Sequence, residues 1–412
     1  MNTLERFLNY VKIDTQSDPN STTAPSSMKQ FDLANLLVKE LKELGVNNVE
    51  LSNECVVYAW LEANEEGIDP IGLIAHMDTS SDASGKNVLP KIVHFTGEDI
   101  LLNEELNIKL SKNDFPFMEE LIGKHLVVTD GTTLLGADDK AGIAVIMDLV
   151  KYLQENKEIK HGKICIAFTP DEEVGRGVEN FDIEKFGAKF AFTMDGGNPS
   201  DAEYETFNAA SAIVKIEGRS VHPGSAKSLM INASLVAIEF NELLNNEEIP
   251  SKTEKYQGFH HLIGMEGQCE NATLAYILRN HDYDLLTKKK EEFMKVKDII
   301  NNKYNKELVA VEIKDSYRNM ASEIQKHPKI MELAYDAIRS VGLTPISSPV
   351  RGGTDGSNLS LRGLPCPNLG PGGYNFHGRF EFLCIEDFNK CCEMLKNLIT
   401  LLSQRKVIID EL

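Results

Sequence analysis

The feature that most constrains the fold is the alternation of short apolar runs with amphipathic helical patterns along the first half of the chain. Five runs rich in apolar and β-branched residues are predicted to be strands, at residues 56–61, 71–75, 126–129, 164–169 and 190–194. Helical spacing of apolar residues occurs at residues 3–13, 28–44 and 140–154. Near-continuous apolar strands separated by helices are typical of a mostly parallel sheet with helices on both faces. The chain is therefore predicted to be an α/β protein.

The middle of the chain has a different order of elements, which predicts a separate smaller domain. Strand, helix, strand, strand, helix and strand patterns follow one another at residues 210–217, 229–244, 259–265, 273–279, 284–304 and 308–315. This β-α-β-β-α-β order is that of a ferredoxin-like α+β unit. We therefore predict a discontinuous larger domain, 1–208 and 319–412, with the smaller domain inserted at 209–318.

Charge and cysteine content argue against several classes of protein. The 412 residues include 43 Lys and Arg against 63 Asp and Glu, a net charge of −20, so general binding to nucleic acid is not expected. No apolar run approaches the roughly 18 residues of a membrane span, and the first residues lack the pattern of a secretory signal. The seven cysteines form no CxxC pair, which argues against a disulfide framework or a thiolate zinc site. A cytoplasmic protein without membrane attachment is expected.

Acidic and imidazole side chains follow the predicted strands or precede the long helix. They occur in the segments His76-Met-Asp78, Gly136-Ala-Asp138-Asp139-Lys140-Ala-Gly142, Asp171-Glu172-Glu173 and Asp195-Gly-Gly. Loops at the carboxyl ends of parallel strands converge on one crevice, so these segments are expected to meet. Carboxylates so close together repel one another unless a cation neutralises them. Histidine with carboxylates, without thiolates, suits Zn²⁺, Mn²⁺ or Co²⁺.

Two short spacings indicate how the chemistry is divided. His76 and Asp78 lie two apart and project to one side of an extended chain, so Asp78 can fix the orientation of the imidazole. Glu172 and Glu173 are adjacent and point to different sides, so one can bind a metal while the other accepts a proton from water. A carboxylate shared by two cations would hold them roughly 3.5–4 Å apart, as in two-metal hydrolases. Taken singly, each segment is more often a turn, a cap or a solvated loop.

These four segments together resemble the co-catalytic zinc metallopeptidase family that includes carboxypeptidase G and the aminoacylases. The resemblance covers essentially the whole chain and is closest to the aminotripeptidases of that family. It extends to the segments Gly218-Arg-Ser-Val-His222-Pro-Gly, Arg351-Gly-Gly-Thr-Asp355-Gly-Ser and Gly372-Gly-Tyr-Asn375-Phe-His377-Gly. It implies that the larger domain is catalytic and that the inserted domain is a lid.

The resemblance also implies two Zn²⁺ per chain, with Co²⁺ or Mn²⁺ as substitutes. His76, Asp138 and Asp195 would hold one ion. Asp138, Glu173 and His377 would hold the other, with Asp138 bridging. The peptide bond between Asp138 and Asp139 is often cis in this family.

The same resemblance assigns three residues to catalysis. Asp78 would orient His76. Glu172 would be the general base that activates a metal-bridging water and later returns the proton. His222 would approach the substrate carbonyl, from its own subunit or from a partner's, and a homodimer is an open alternative to a monomer.

Candidates for substrate binding come from side-chain chemistry. A short peptide carries a carboxylate that guanidinium binds bidentately, which makes Arg279 and Arg351 candidates. For Arg351, an interdomain salt bridge is an equal alternative. Asn375 can line the site as an amide donor or serve in an ordinary turn.

The expected activity is release of the N-terminal residue from short peptides, above all tripeptides. The alternatives with the same chemistry are a dipeptidase, a carboxypeptidase and an N-acyl amino-acid deacylase. A non-catalytic relative would lack the base or a ligand, and Glu172 and all five ligands are present. A nucleotide-binding protein would need a glycine-rich phosphate loop, whereas acids occupy that place after Gly136.

Overall fold

The computed structural model describes residues 1–409, which fall into two compact units. The larger unit comprises Met1–Tyr204, Ala321–Ser348 and the chain from Thr354 onward. The smaller unit comprises Glu205–Met320 and Pro349–Gly353. The boundaries predicted at 208/209 and 318/319 lie within a few residues of these. The segment 349–353 differs from the predicted division, because Val350 donates its N–H to the Glu205 carbonyl and the Phe207 N–H bonds to the Gly352 carbonyl.

The strands are numbered along the chain. They are β1 (Asn48–Leu51), β2 (Val57–Leu61), β3 (Ile71–His76), β4 (Lys91–His94), β5 (Ile100–Asn103), β6 (Ile108–Leu110), β7 (His125–Val128), β8 (Ile164–Thr169), β9 (Phe190–Thr193), β10 (Ala202–Glu203), β11 (Asn208–Glu217), β12 (Phe259–Gly267), β13 (Asn271–Asn280), β14 (Val309–Asp315), β15 (Asn368–Leu369), β16 (Gly373–Tyr374) and β17 (Phe382–Cys384).

The helices are numbered in the same way. They are α1 (Thr3–Tyr10), α2 (Gln30–Glu43), α3 (Ala137–Glu155), α4 (Ile183–Phe186), α5 (Ala233–Leu243), α6 (Tyr283–Tyr304), α7 (Ala321–Ile324), α8 (Pro328–Ser340), α9 (Asp355–Leu361) and α10 (Ile385–Arg405). No helix within residues 1–409 is both long and apolar enough to cross a lipid bilayer.

The main sheet of the larger unit has the order β1-β2-β8-β3-β9-β15-β10. Its centre is parallel, since β3 pairs in parallel with β8 and β9, and β9 with β15, while the outer strands pair antiparallel. On one face, Ile74 and Cys165 pack with Phe186 of α4 and Leu359 of α9. Helix α3 packs against β3. The predicted α/β class is confirmed, with the parallel pairing confined to the neighbouring strands β8, β3, β9 and β15.

A second sheet of the larger unit was not predicted. Its order is β16-β17-β7-β4, with antiparallel pairing throughout. The run at 126–129 forms β7 of this sheet rather than a strand of the main sheet. Its apolar residues predict a buried strand, and Leu126 to Val128 are buried. Burial alone does not reveal which strand β7 pairs with, because its partner β17 follows it by more than 250 residues.

The smaller unit has the predicted β-α-β-β-α-β order. Its antiparallel sheet runs β12-β13-β11-β14. Helices α5 and α6 contribute Phe240 and Phe293 to a core with Val214, Leu274 and Tyr276 of the sheet. This arrangement is that of a ferredoxin-like unit.

Candidate metal centre

The parallel strands of the main sheet bring distant acids and histidines to one edge. In the β3–β8 pairing, His76 lies opposite Thr169, and in the β3–β9 pairing Ile74 lies opposite Thr193. The three strands therefore end at nearly the same level. His76 is the last residue of β3, a 3₁₀ turn at Glu172–Val174 follows β8, and Asp195 follows β9. The predicted convergence of these segments is found in the structure.

Asp138 lies between two histidines, each facing a different carboxylate oxygen. Its Oδ1 is 2.9 Å from His76 Nε2, and its Oδ2 is 3.2 Å from His377 Nε2. His76 Nε2 is also 3.4 Å from Asp195 Oδ1. His377 Nε2 is also 2.9 Å from Glu173 Oε2. The five predicted ligands thus form two sets that share Asp138.

Asp138 is held in this place by the irregular start of α3. The backbone at Asp138 and Asp139 is non-helical, and the peptide bond between them is cis, as the resemblance implied. The carboxylate of Asp139 accepts N–H bonds from His76 and Gly142. It approaches Gly142 so closely that a Cβ there would lie 2.4 Å from Asp139 Oδ1. Asp139 lies near His76 and Asp195, but it supports the backbone around them.

Asp78 also supports this site. It is fully buried, and its carbonyl oxygen lies 3.0 Å from His76 Nδ1, closer than its Oδ1 at 3.4 Å. Its two carboxylate oxygens accept the N–H groups of Glu172 and Glu173 at 3.0 and 3.1 Å. Asp78 therefore contacts His76 mainly through its backbone and fixes the turn that carries both glutamates.

The electrostatics of the centre favour bound positive charge. Burial raises the pKa of Glu173 to about 7 and that of Asp195 to about 6. Burial and the nearby Asp195 raise the pKa of Glu172 well above its usual value. Hydrogen bonds to Asp138 and Glu173 raise the pKa of His377 to about 11. Several carboxylates at one place therefore resist ionising together unless a cation shares the site.

The donor set fits divalent metal ions. Within residues 1–409, the Glu173 atom Oε1 is buried without a hydrogen-bond partner, although a buried carboxylate oxygen without a donor is costly. Two imidazoles and three carboxylates, with no thiolate among them, are ligands that Zn²⁺, Mn²⁺ and Co²⁺ accept. His76, Asp138 and Asp195 could hold one ion, and His377, Asp138 and Glu173 a second.

The raised pKa values predict how the metal-free protein responds to pH. A carboxyl whose pKa is higher in the folded state than in the unfolded state binds more protons when folded, so its contribution to stability is lost as pH rises through the folded value. For Asp195 and Glu173 that loss lies between their ordinary pKa values, near pH 4, and their folded values of about 6 and 7. Divalent metal competes with those protons. We expect added Zn²⁺ to raise the Tm of chelator-treated protein by a few degrees more at about pH 8 than at about pH 5.5.

Differential scanning fluorimetry with and without metal measures this difference. The histidines act in the same direction, because their pKa values are also raised. An equal metal-induced rise in Tm at both pH values would contradict the assignment of these carboxyls to a metal centre.

Two buried side chains near the centre make contacts that were not predicted from the sequence. Glu381 is buried and accepts three backbone N–H groups, from Leu135 at 2.7 Å, Gly136 at 2.8 Å and Asp138 at 3.1 Å. It therefore fixes the turn that carries the shared carboxylate. Lys140 is buried and donates to the Ile13 carbonyl at 2.7 Å. Glu381 lies four residues after His377, and that proximity was the one signal in the sequence.

The other predicted site residues are distributed over both units. Asn375 belongs to the larger unit, where its amide donates to the Phe380 carbonyl at 3.3 Å. His222, Arg279 and Arg351 belong to the smaller unit. His222 is exposed and caps a 3₁₀ turn by accepting the Gly224 N–H.

The two arginines differ in how their guanidinium groups are used. The Arg279 guanidinium donates to two backbone carbonyls, those of Ala210 and Leu278, and both hydrogen bonds come from Nη1. The guanidinium of Arg351 donates through both Nη1 and Nη2 to the loop at residues 253–257. It also lies over the rings of Phe207 and Phe259, at 5.1 and 5.5 Å. These partners of Arg351 are backbone carbonyls, a hydroxyl and aromatic rings of its own unit, and none of them is a carboxylate.

Comparison with known sequences agrees with the motif analysis. Residues 127–401 match the profile of Peptidase family M20/M25/M40. A Peptidase T of Clostridium botulinum (strain Loch Maree / Type A3) is 50% identical over 404 residues, which cover 98% of this chain and 99% of that relative. A Peptidase T of Alkaliphilus oremlandii is 47% identical over 407 residues, 98% of this chain and 100% of that relative.

Solved structures share the fold. An aminopeptidase PepT from Bacillus cereus superposes with a TM-score of 0.75 at 21% identity, and the alignment covers 98% of both chains. A tripeptidase from Staphylococcus aureus gives 0.77 at 20% identity with the same coverage. A dinuclear metal-binding peptidase of the M20 family from Bacillus subtilis gives 0.65 at 12% identity, again over 98% of both chains. The profile match and the full-length relatives confirm the family resemblance: the chain belongs to Peptidase family M20/M25/M40.

Proposed function

We propose that this protein is a metal-dependent aminopeptidase that releases the N-terminal residue from short peptides, above all tripeptides. The observation that carries the proposal is the position of Asp138, whose two oxygens face His76 and His377. A carboxylate shared in this way suits a pair of divalent ions, as in two-metal hydrolases. The full-length relatives named Peptidase T, together with the fold shared with the Staphylococcus aureus tripeptidase, support the choice of substrate.

The residues of the larger unit account for the acid–base chemistry of peptide hydrolysis. Bound divalent ions would supply Lewis-acid polarisation of the scissile carbonyl and lower the pKa of the attacking water. Glu172 takes the proton from that water and then delivers it to the leaving amine nitrogen. The neighbouring Glu173 faces His377, so the adjacent glutamates have separate tasks. Asp78 keeps both in place through their backbone N–H groups.

Zinc is the metal that we propose, with Co²⁺ or Mn²⁺ as functional substitutes. His222 is proposed to donate a hydrogen bond to the developing oxyanion. Arg279 is proposed to bind the peptide carboxylate in preference to Arg351, because the guanidinium of Arg351 is engaged through both terminal nitrogens. Asn375 is proposed to line the site as an amide donor.

We further infer a cytoplasmic location and the absence of nucleic-acid or membrane partners. All seven cysteines lie within the described residues and are unpaired, and six of them are buried. Unpaired cysteines are typical of a reducing compartment. The net charge of −20 disfavours binding to phosphate backbones.

A panel of peptides tests this function. The purified protein is assayed on di-, tri- and tetrapeptides, with and without an acetylated N-terminus, before and after treatment with a chelator. We expect fastest cleavage of free tripeptides, release of the first residue, and loss of activity on chelation that Zn²⁺ restores. Preference for acetylated amino acids would indicate a deacylase, and release of the last residue a carboxypeptidase. Either result, or preference for dipeptides, would contradict the proposal.

A further inference from the structure

Asp171, the residue directly before the proposed base, is held in an unusual position. Its φ of 55° lies in the left-handed region, which residues other than glycine seldom adopt. The residue is almost completely buried, at 2% relative exposure. Its carbonyl accepts the Arg176 N–H at 3.0 Å, which closes the turn that contains Glu172 and Glu173. Such a conformation persists only where surrounding contacts hold it.

The hydrogen bonds to the Asp171 side chain come from the N-terminal part of the larger unit, and Arg176 Nη2 lies 3.9 Å from Asp171 Oδ2. The Asp171 carboxylate accepts the Ser26 N–H at 2.7 Å, the Ser26 hydroxyl at 2.5 Å and the Gln30 amide at 2.7 Å. The side-chain amide oxygen of Gln30, Oε1, accepts the Asp171 N–H at 3.1 Å. Gln30 thus bonds to both the backbone and the side chain of Asp171, and its relative exposure is 0%.

The turn is therefore fixed between two carboxylates. Asp78 receives the N–H groups of Glu172 and Glu173 on one side. Asp171 is anchored to Ser26 and Gln30 on the other. If the second anchor is removed, Asp171 can leave the left-handed region, and the direction of the next side chain changes with it.

We propose that Gln30 and Ser26 are positioning residues that hold the Glu172 carboxylate in its working direction through Asp171. The inference rests on the proposed function, in which Glu172 moves the proton. Neither residue is close in sequence to the turn, and neither carries a charge. Their role is to limit the positions that the base samples, and misplacement of a reacting group by about 1 Å can cost 10²-fold in rate.

The test compares Gln30→Met and Ser26→Ala with Glu40→Gln. Methionine has nearly the length of glutamine but makes neither hydrogen bond, and Ser26→Ala removes a single hydroxyl donor. Glu40 lies on the same helix, α2, and accepts bonds from Arg6 and Tyr10. Glu40→Gln therefore disturbs the packing of α2 without touching Asp171. For each full-length variant, kcat and KM, metal content and hydrogen–deuterium exchange of residues 171–175 are measured.

We expect kcat of Gln30→Met to fall about 10- to 100-fold, with KM within twofold, metal content unchanged and faster exchange at 171–175. Ser26→Ala is expected to show a smaller loss in the same pattern, and Glu40→Gln to lower Tm while keeping kcat. Wild-type kcat and exchange in a folded Gln30→Met would overturn the proposal, as would an equal loss of kcat in Glu40→Gln. If the wild-type protein cleaves no peptide, the proposed function fails, while exchange at 171–175 still decides whether Gln30 holds the turn.

Discussion

Replacing Glu172 with Gln is expected to lower kcat for tripeptide cleavage about 10³-fold or more while the protein keeps its metals. The amide has the size of the carboxylate but cannot accept the proton of the attacking water. None of the predicted ligand pairs involves Glu172, since His377 faces Glu173 and His76 faces Asp138 and Asp195. The loss should therefore appear in the rate and not in the metal content.

Steady-state kinetics and elemental analysis of the same preparations separate these effects. Glu184→Gln, an exposed glutamate of α4 in the same unit, is the matched control and should leave both unchanged. If Glu172→Gln retains turnover, another group is the base. If it loses metal, Glu172 is a ligand, and the division of tasks between the two glutamates is wrong.

The features that could be predicted from the sequence are those set by residues close together along the chain. Near-continuous apolar runs predict buried strands, and the strands β2, β3, β8 and β9 form where those runs occur. The parallel order of the central strands then requires that their carboxyl ends share an edge, which is how residues as distant as His76 and Asp195 could be predicted to meet. The order of elements in the smaller unit was likewise readable from periodicity alone.

The parts that could not be predicted depend on contacts between distant segments. Apart from its position four residues after His377, nothing in the sequence around Glu381 indicates that its carboxylate accepts three N–H groups from residues 135–138. The same holds for Gln30, whose partner lies 141 residues away. Such buried polar groups are expected wherever irregular backbone carries a site, because its N–H groups need acceptors. Their identity follows only from the tertiary structure.

The second large effect is expected from Asp138→Ala, which should weaken binding of both metals. Each histidine of the centre faces one oxygen of Asp138 and one carboxylate that the other histidine does not face. That carboxylate is Asp195 for His76 and Glu173 for His377. Without Asp138, each set keeps one imidazole and one carboxylate. Loss of a supporting partner alone costs 10- to 100-fold in metal affinity, so loss of the shared ligand should cost about 100-fold or more at both sites.

Metal content after dialysis against buffered free Zn²⁺ measures this loss. Asp148→Asn is the matched control, because Asp148 lies on the same helix and pairs with Lys396 away from the centre. Asp195→Ala provides the contrast, since it should weaken one site and spare the other. Loss of one metal in Asp195→Ala and of both in Asp138→Ala would follow from a shared carboxylate. If Asp138→Ala retains two metals at wild-type affinity, the two ions do not share Asp138. That result would contradict the bridging arrangement.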